Sequence, residues 1–199
     1  MEIQLDNKTI TFNKKLTNLD IFVKDFVEII EELEIDYVII SGYISIVFGR
    51  SRNTEDIDTI IDRISKAKFD QLWIKLIADF ECMNTSNKDE AYDYLNSNTA
   101  LRFFKKDKFI PNMEIKFKKS RIDEFSLKNK IRVIIDNLKF NTSLIELQIA
   151  YKLFMGSDKD IEDAKFLYNI FKSYLNIKIL EELLNDFGKE AKQRFEMIK

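Results

Sequence analysis

Asp56 and Asp58 stand two residues apart in "NTEDIDTIID". In an extended strand, side chains two apart leave the same face, so both carboxylates point one way. Two such acids repel, and stay ionised together only when solvated or neutralised by a cation. A hard divalent ion held by oxygen atoms does this well, which favours Mg²⁺, Mn²⁺ or Ca²⁺. Just upstream, Arg50 and Arg52 in the polar loop "GRSRNTE" offer fixed positive charge of the kind that meets phosphate oxygens. Before them, Ser41 and Gly42 close the apolar run "DYVIIS". A strand that ends in Ser-Gly and turns directly into a helix leaves backbone N–H groups free. With the positive end of the helix dipole, these make a phosphate site. Gly42 is the residue expected to absorb the bend and to let a ligand approach the backbone. Each feature also has a plain explanation: a solvated strand end, an ordinary strand-to-helix turn.

Composition narrows the chemistry. The chain of 199 residues has no histidine and one cysteine, Cys82. Ser-His-Asp and Cys-His catalysis are thereby excluded, as is a zinc site built on imidazole. Catalysis must rest on carboxylates, Lys, Arg, Tyr or Ser. The lone cysteine cannot form an internal disulfide, and a reducing cytoplasm is the expected setting. Formal net charge is -2, so a global basic field for nucleic acid is absent and only a local basic patch remains open. "MEIQLDNKTITF" has neither the basic nor the apolar region of a signal peptide. No apolar run is long enough to span a bilayer. With 45% hydrophobic and 13% aromatic residues, the chain can fill a core for one domain, or a core with a helical appendage.

The elements that must position these residues follow from periodicity. A hairpin is expected around Asp6-Asn7-Lys8. Asp20 is placed to cap a helix through about Leu33, with Phe22, Phe26, Ile29, Ile30 and Leu33 at helical spacing. Residues 36–41 form a short apolar strand, buried on both faces, and Gly42 opens a short helix to Phe48. Strand returns at 56–62, then an amphipathic helix at 68–80. "FECMNTS", "TALRFF", "KIRVIID" and "LKF" read as strands, and "KDEAYDYLNS" as a helix. In residues 111–119 alternation is strict: Met113, Ile115 and Phe117 share one face, Glu114, Lys116 and Lys118 the other. From Ser143 onward only helices are expected. Ser143 and Glu146 have the spacing of a capping box, Gly156 stops that helix, and Ser157 or Asp158 caps the next. Two further helices follow, separated by Gly188. The organisation is therefore a mixed strand-and-helix core over residues 1–142 and a helical segment over 143–199.

The order of these features is more specific than any one of them. "SGYISIVFGRSRNTEDID" resembles the first motif of the polymerase β-like nucleotidyltransferases, and most closely that of AbiEii-like toxins and related minimal nucleotidyltransferases. Gly49, Arg50, Arg52, Thr54, Asp56 and Asp58 match that motif; Ser41 stands where the family has the first of two glycines. "IELQIAYKLFMGSDKDIEDAKFL" resembles the family's helical block, with Lys152, Lys159, Asp160 and Asp163 in its positions. An Arg that many toxins carry after the Lys is replaced by Gly156 or Ser157. Taken without the first motif, Asp160 and Asp163 read as acids favoured by a helix dipole and Lys152 as a solvated residue.

The resemblance implies an α+β fold with a central mixed sheet flanked by helices and followed by a C-terminal helical segment. It implies transfer of a nucleoside monophosphate from an NTP, with Mg²⁺ or Mn²⁺ on Asp56 and Asp58. Glu114 is the candidate for the third carboxylate, where the family more often has Asp; an exposed strand residue is its plain alternative. Ser41 and Gly42 would cradle the triphosphate, Arg50 and Arg52 would neutralise it, and Lys152 would reach phosphate or base. Asp160 and Asp163 would position Lys or Arg side chains. The acceptors implied are a tRNA-like RNA or a protein hydroxyl, and the implied role is the toxin of a toxin–antitoxin pair. The basic stretches "FFKKDK" and "KFKKSR" could touch RNA, and a solvated face explains them equally well. A catalytically inactive binding module for nucleotide or RNA is the alternative of a different class.

Overall fold

The computed structural model describes residues 2–199. Its elements in chain order are β1 (Gln4–Asp6), β2 (Thr9–Thr11), α1 (Asn18–Glu32), β3 (Tyr37–Ile40), α2 (Gly42–Val47) and β4 (Asp56–Ile61). Next come α3 (Lys66–Asp79), β5 (Phe80–Cys82), α4 (Lys88–Asn96), β6 (Leu101–Lys105), β7 (Asn112–Phe117) and α5 (Arg121–Lys128). The chain continues with β8 (Ile131–Ile135), β9 (Leu138–Thr142), α6 (Ile145–Met155), α7 (Asp158–Phe171), α8 (Ile177–Phe187) and α9 (Lys189–Ile198). All strands join one mixed sheet, in the order β1-β2-β8-β9-β3-β4-β7-β6-β5. The mixed α/β class expected from the sequence is the class observed.

Period-two alternation gives the sheet two different faces. Tyr37, Ile39, Ile57, Ile61, Met113, Ile115 and Phe117 point into the main core, with Phe22, Phe26 and Ile30 of α1 and Phe69, Leu72 and Leu76 of α3. The other face carries a small apolar cluster of Val38, Ile60 and Leu127, the last from α5. Asp56, Asp58 and Glu114 belong to this second face by the same alternation. The helical segment from α6 onward shares the main core through Ile149, Leu153, Leu167, Leu180 and Phe195.

Local signals account for most boundaries, and two differ from expectation. Thr17, not Asp20, caps α1; Asp20 is its partner in a capping box, bonding back to the Thr17 N–H at 2.8 Å. Asp20 is thereby buried, and it accepts the Tyr43 hydroxyl at 2.9 Å, tying α1 to α2. The Ser143–Glu146 capping box does not form. The α6 helix starts at Ile145 without a side-chain cap. Ser143 instead accepts from Gln148 Nε2 at 2.7 Å, and Glu146 accepts the Asn176 N–H at 2.7 Å. A residue of the next turn of α6 has taken one side chain and a distant backbone N–H the other. Helix α5, just after the basic stretch and between two strongly alternating strands, has no counterpart among the expected elements. Its own box of Ser120 and Asp123 starts it.

Gly156 fixes the turn between α6 and α7. Its φ of +71° is left-handed, and its N–H closes on the Lys152 carbonyl at 3.0 Å. The Arg194 guanidinium lies where a Cβ would stand and donates to the Leu153 carbonyl at 2.7 Å and the Phe154 carbonyl at 3.2 Å. Any side chain at 156 meets both a backbone penalty and this guanidinium. Gly156→Ala is expected to lower unfolding free energy by about 2 kcal/mol in urea titration; an unchanged midpoint contradicts this description of the turn.

Candidate functional site

Asp163, in the second turn of α7, is fully buried at 0% exposure. A bare carboxylate there would be strongly destabilising. Three cations reach it. Arg50 bonds its Oδ1, Arg52 donates to Oδ2 at 2.6 Å, and Lys152 Nζ donates to Oδ2 at 2.7 Å. Arg50 also bonds Glu162 and donates to the Lys159 carbonyl at 3.1 Å. Asp160 lies 3.7 Å from Lys152 Nζ and has a hydrogen bond from the Ser157 hydroxyl, the α7 cap. Three acids of one helix thus hold three cations, two from the loop ahead of β4 and one from α6. The polar loop is clamped to the helical segment at both arginines.

This clamp explains Gly42. A Cβ on Gly42 would stand 2.6 Å from Arg52 Nη2 and 3.5 Å from Thr54 Oγ1. The glycine makes room for a guanidinium. The bend itself falls on the residue before: Ser41 has φ 70° and ψ -139°, a region that favours glycine. The expectation that Gly42 absorbs the bend is corrected accordingly. The Ser41 N–H donates to Gln148 Oε1 of α6 at 3.2 Å, so the turn is braced from across the cleft.

Asp56 and Asp58 lie on β4, two apart and on one face. In-register pairing with β7 sets Glu114 beside Asp58. Burial and the charges of Glu114 and Asp56 hold the Asp58 carboxyl above the usual carboxylate range, partly offset by a hydrogen bond with Ser41. Thr54 Oγ1 bonds Asp56 Oδ1 at 3.3 Å and its carbonyl at 2.9 Å. Glu114 is drawn to the outer strand: Arg102 Nε of β6 donates to its Oε2 at 2.8 Å. Hydrogen bonding to Glu114, reinforced by its charge and those of Asp56 and Asp58, raises the Arg102 pKa further. The Asp56–Asp58 pair suits a hard cation, because the mutual repulsion is what such an ion relieves. Among the described residues, however, no group of three or more Asp, Glu, Cys or His side chains is arranged to hold a metal ion. The expected three-carboxylate metal set is therefore not found among the described residues; Glu114 is paired with Arg102.

A cleft of about 720 Å³ opens beside Asp58. Ser41, Asp58 and Ile60 form one wall, the start of α5 another, and Gln148, Tyr151 and Lys152 of α6 a third. No described helix is long and apolar enough to cross a membrane.

No family model and no curated protein matches the chain. Solved structures do. An antigenic nucleotidyltransferase-like protein from Paracoccidioides brasiliensis matches with a TM-score of 0.56 over 92% of this chain and 92% of its own, at 18% identity. The ANT(2")-Ia structure in complex with adenylyl-2"-tobramycin gives 0.56 over 90% and 99%, at 13% identity. The lincomycin-bound lincosamide antibiotic adenylyltransferase LnuA gives 0.53 over 79% and 99%, at 14%. The chain has a nucleotidyltransferase fold. At such identities the likeness establishes the fold and not the reaction. The likeness is one of fold, and it gives the AbiEii-like subgroup no support.

Within this nucleotidyltransferase fold, Arg102 on Glu114 and the cleft residues Gln148 and Tyr151 were not expected from the sequence. Arg102 had a signal: it stands between Leu101 and Phe103, which sets its side chain opposite the core. Its pairing with Glu114 depends on the β6–β7 register. Gln148 and Tyr151 sit at helical spacing on α6, a pattern that a buried helix shows equally.

The Asp58 environment has a consequence for stability. Its folded pKa is raised above the ordinary 3.8. Below that value the carboxyl is neutral folded and unfolded, and the shift has no cost. As pH rises through the window above it, ionisation disfavours the fold. Asp58→Asn is expected to be more stable than wild type at pH 7 in EDTA, by up to about 2 kcal/mol, with the advantage fading toward pH 3. Thermal melts across that range check it; a less stable Asn variant at pH 7 refutes it.

Proposed function

We propose that this protein is a nucleotidyltransferase that moves a nucleoside monophosphate from an NTP to a hydroxyl acceptor. The observation that carries the reading is the register that sets Asp56, Asp58 and Glu114 together on one sheet face of a nucleotidyltransferase fold, beside the Ser41–Gly42 turn.

Asp56 and Asp58 would hold Mg²⁺ or Mn²⁺. When bound, the ion neutralises the acids and stabilises charge on the phosphoryl group and its leaving pyrophosphate. Glu114, positioned by Arg102, takes the proton of the attacking hydroxyl. The new bond joins acceptor oxygen to the α-phosphorus, and the bond to pyrophosphate breaks. The Ser41–Gly42 turn, with the Arg52 guanidinium over it, faces the polyphosphate. Lys152, fixed by Asp163, adds positive charge at the opposite wall. Arg50 acts through the clamp, holding the loop in place. An RNA of tRNA type or a protein hydroxyl is the acceptor in this reading, and a toxin restrained by an antitoxin is the role.

The Arg102–Glu114 ion pair and the strained Ser41 favour a second reading, a nucleotide- or RNA-binding module without transfer. Incubation with each α-³²P NTP, Mg²⁺, total RNA and protein separates the two. Transfer of label is expected, falling at least about a hundredfold in Asp58→Ala. Nucleotide binding with no transfer to any acceptor supports the second reading and overturns the first.

A further inference from the structure

The cleft has a feature that phosphate chemistry leaves unused. Tyr151 and Phe154, one turn apart on α6, line its mouth together with Met155. They are large and exposed, Tyr151 at 39% and Phe154 at 48%. Neither ring is free to turn away. Phe187 of α8 stacks on Phe154 at 5.2 Å and meets Tyr151 edge-on at 5.7 Å, and the two α6 rings lie 6.0 Å apart. The result is a braced aromatic surface whose outer side has no partner among the described residues.

The same cleft is lined by Lys116, Lys119 and Lys159, none of which has an ion-pair partner among the described residues. Lys116 bears on Asp58 and Lys159 opens α7 beside the clamp. Tyr151 lines this cleft together with Asp58, Asp123 and Asp160. Lys119 and Lys159 are exposed and Lys116 is half-buried, so an apolar ligand would leave their positive charge at the cleft unanswered. Inorganic polyphosphate would leave the rings bare. A ligand with an aromatic face at one end and several phosphate charges at the other satisfies both, and the volume suits a small molecule of that size.

We propose that Tyr151 and Phe154 form the stacking subsite for the nucleobase of the donor nucleotide, with Lys116, Lys119 and Lys159 facing its phosphates. Stacking requires only a π-face, so this subsite accepts any of the four bases with small differences in affinity. The proposal rests on the transferase reading for the word donor. Its geometry stands apart from it.

Equilibrium binding of ATP and of inorganic tripolyphosphate, with Mg²⁺ present, tests it. Tyr151→Ala and Phe154→Ala are each expected to weaken ATP about tenfold or more and to leave tripolyphosphate unchanged. Tyr151→Phe retains ATP affinity, because the ring and not the hydroxyl binds. Lys116→Gln combined with Lys159→Gln weakens both ligands. Unchanged ATP affinity in the Tyr151→Ala/Phe154→Ala double variant overturns the subsite. So does equal weakening of ATP and tripolyphosphate, and so does a wild-type protein that binds no NTP. Intact ATP affinity with transfer lost assigns the rings to the acceptor. A dimer abolished by Phe154→Ala, with ATP affinity untouched, assigns them to a second copy. Either result refutes the proposal. If the rings bind ATP and no label is transferred, the subsite stands and the transferase reading falls. If label is transferred by variants with full ATP affinity, the reverse holds.

Discussion

A single buried carboxylate organises the site. Asp163 lies out of water, and a charge there persists only when cations surround it closely. Arg50, Arg52 and Lys152 provide them from segments about a hundred residues apart in the chain. Satisfying this one group therefore fixes several distances together. The loop before β4 is held against α7, α6 is held beside the same helix, and the acids of β4 inherit a defined surrounding. Gly42 is an adaptation to that arrangement, and Gly156 is one to the neighbouring contact of α9 with α6. Each leaves the space of a Cβ to a guanidinium, Arg52 in one case and Arg194 in the other.

The sheet adds a second constraint of opposite sign. In-register pairing sets Glu114 next to Asp58, and alternation sets Asp56 on the same face. The fold thereby brings like charges together, with one of them partly buried. Arg102 relieves this on the outer strand, and the Ser41 hydrogen bond on the inner one. What remains is a locally unfavourable patch whose Asp58 lines a cleft, on a scaffold held elsewhere by the aromatic core. Local cost at a point surrounded by stabilising contacts is the usual pattern of a binding or reactive site.

Much of this was legible in the sequence, for identifiable reasons. The shared face of Asp56 and Asp58, and the side taken by Glu114, follow from a period of two. The Ser157 cap and the Gly156 stop follow from local backbone chemistry. Nearly all strands were visible because their apolar runs are short and bounded by polar turns. Other features needed the tertiary structure. Arg102 meets Glu114 through a strand pairing that no local pattern dictates. Glu146 carries cap-like spacing, and the Asn176 N–H recruits it from afar; Asp20 keeps its place in the Thr17 box and takes the Tyr43 hydroxyl as well. Ser41 takes the bend because the guanidinium over Gly42 and the contact with Gln148 over-determine the turn. Helix α5 is a short amphipathic piece between two alternating strands, and its period is too brief to stand out.

The claim that Asp163 holds the loop and the helical segment together is tested most directly by Asp163→Asn in urea unfolding. That change keeps the shape and removes the charge, leaving Arg50, Arg52 and Lys152 facing a neutral group. The predicted result is a loss of about 3–5 kcal/mol with early proteolytic cleavage in the loop at residues 49–55. Stability within about 0.5 kcal/mol of wild type, with the loop equally resistant, would contradict it.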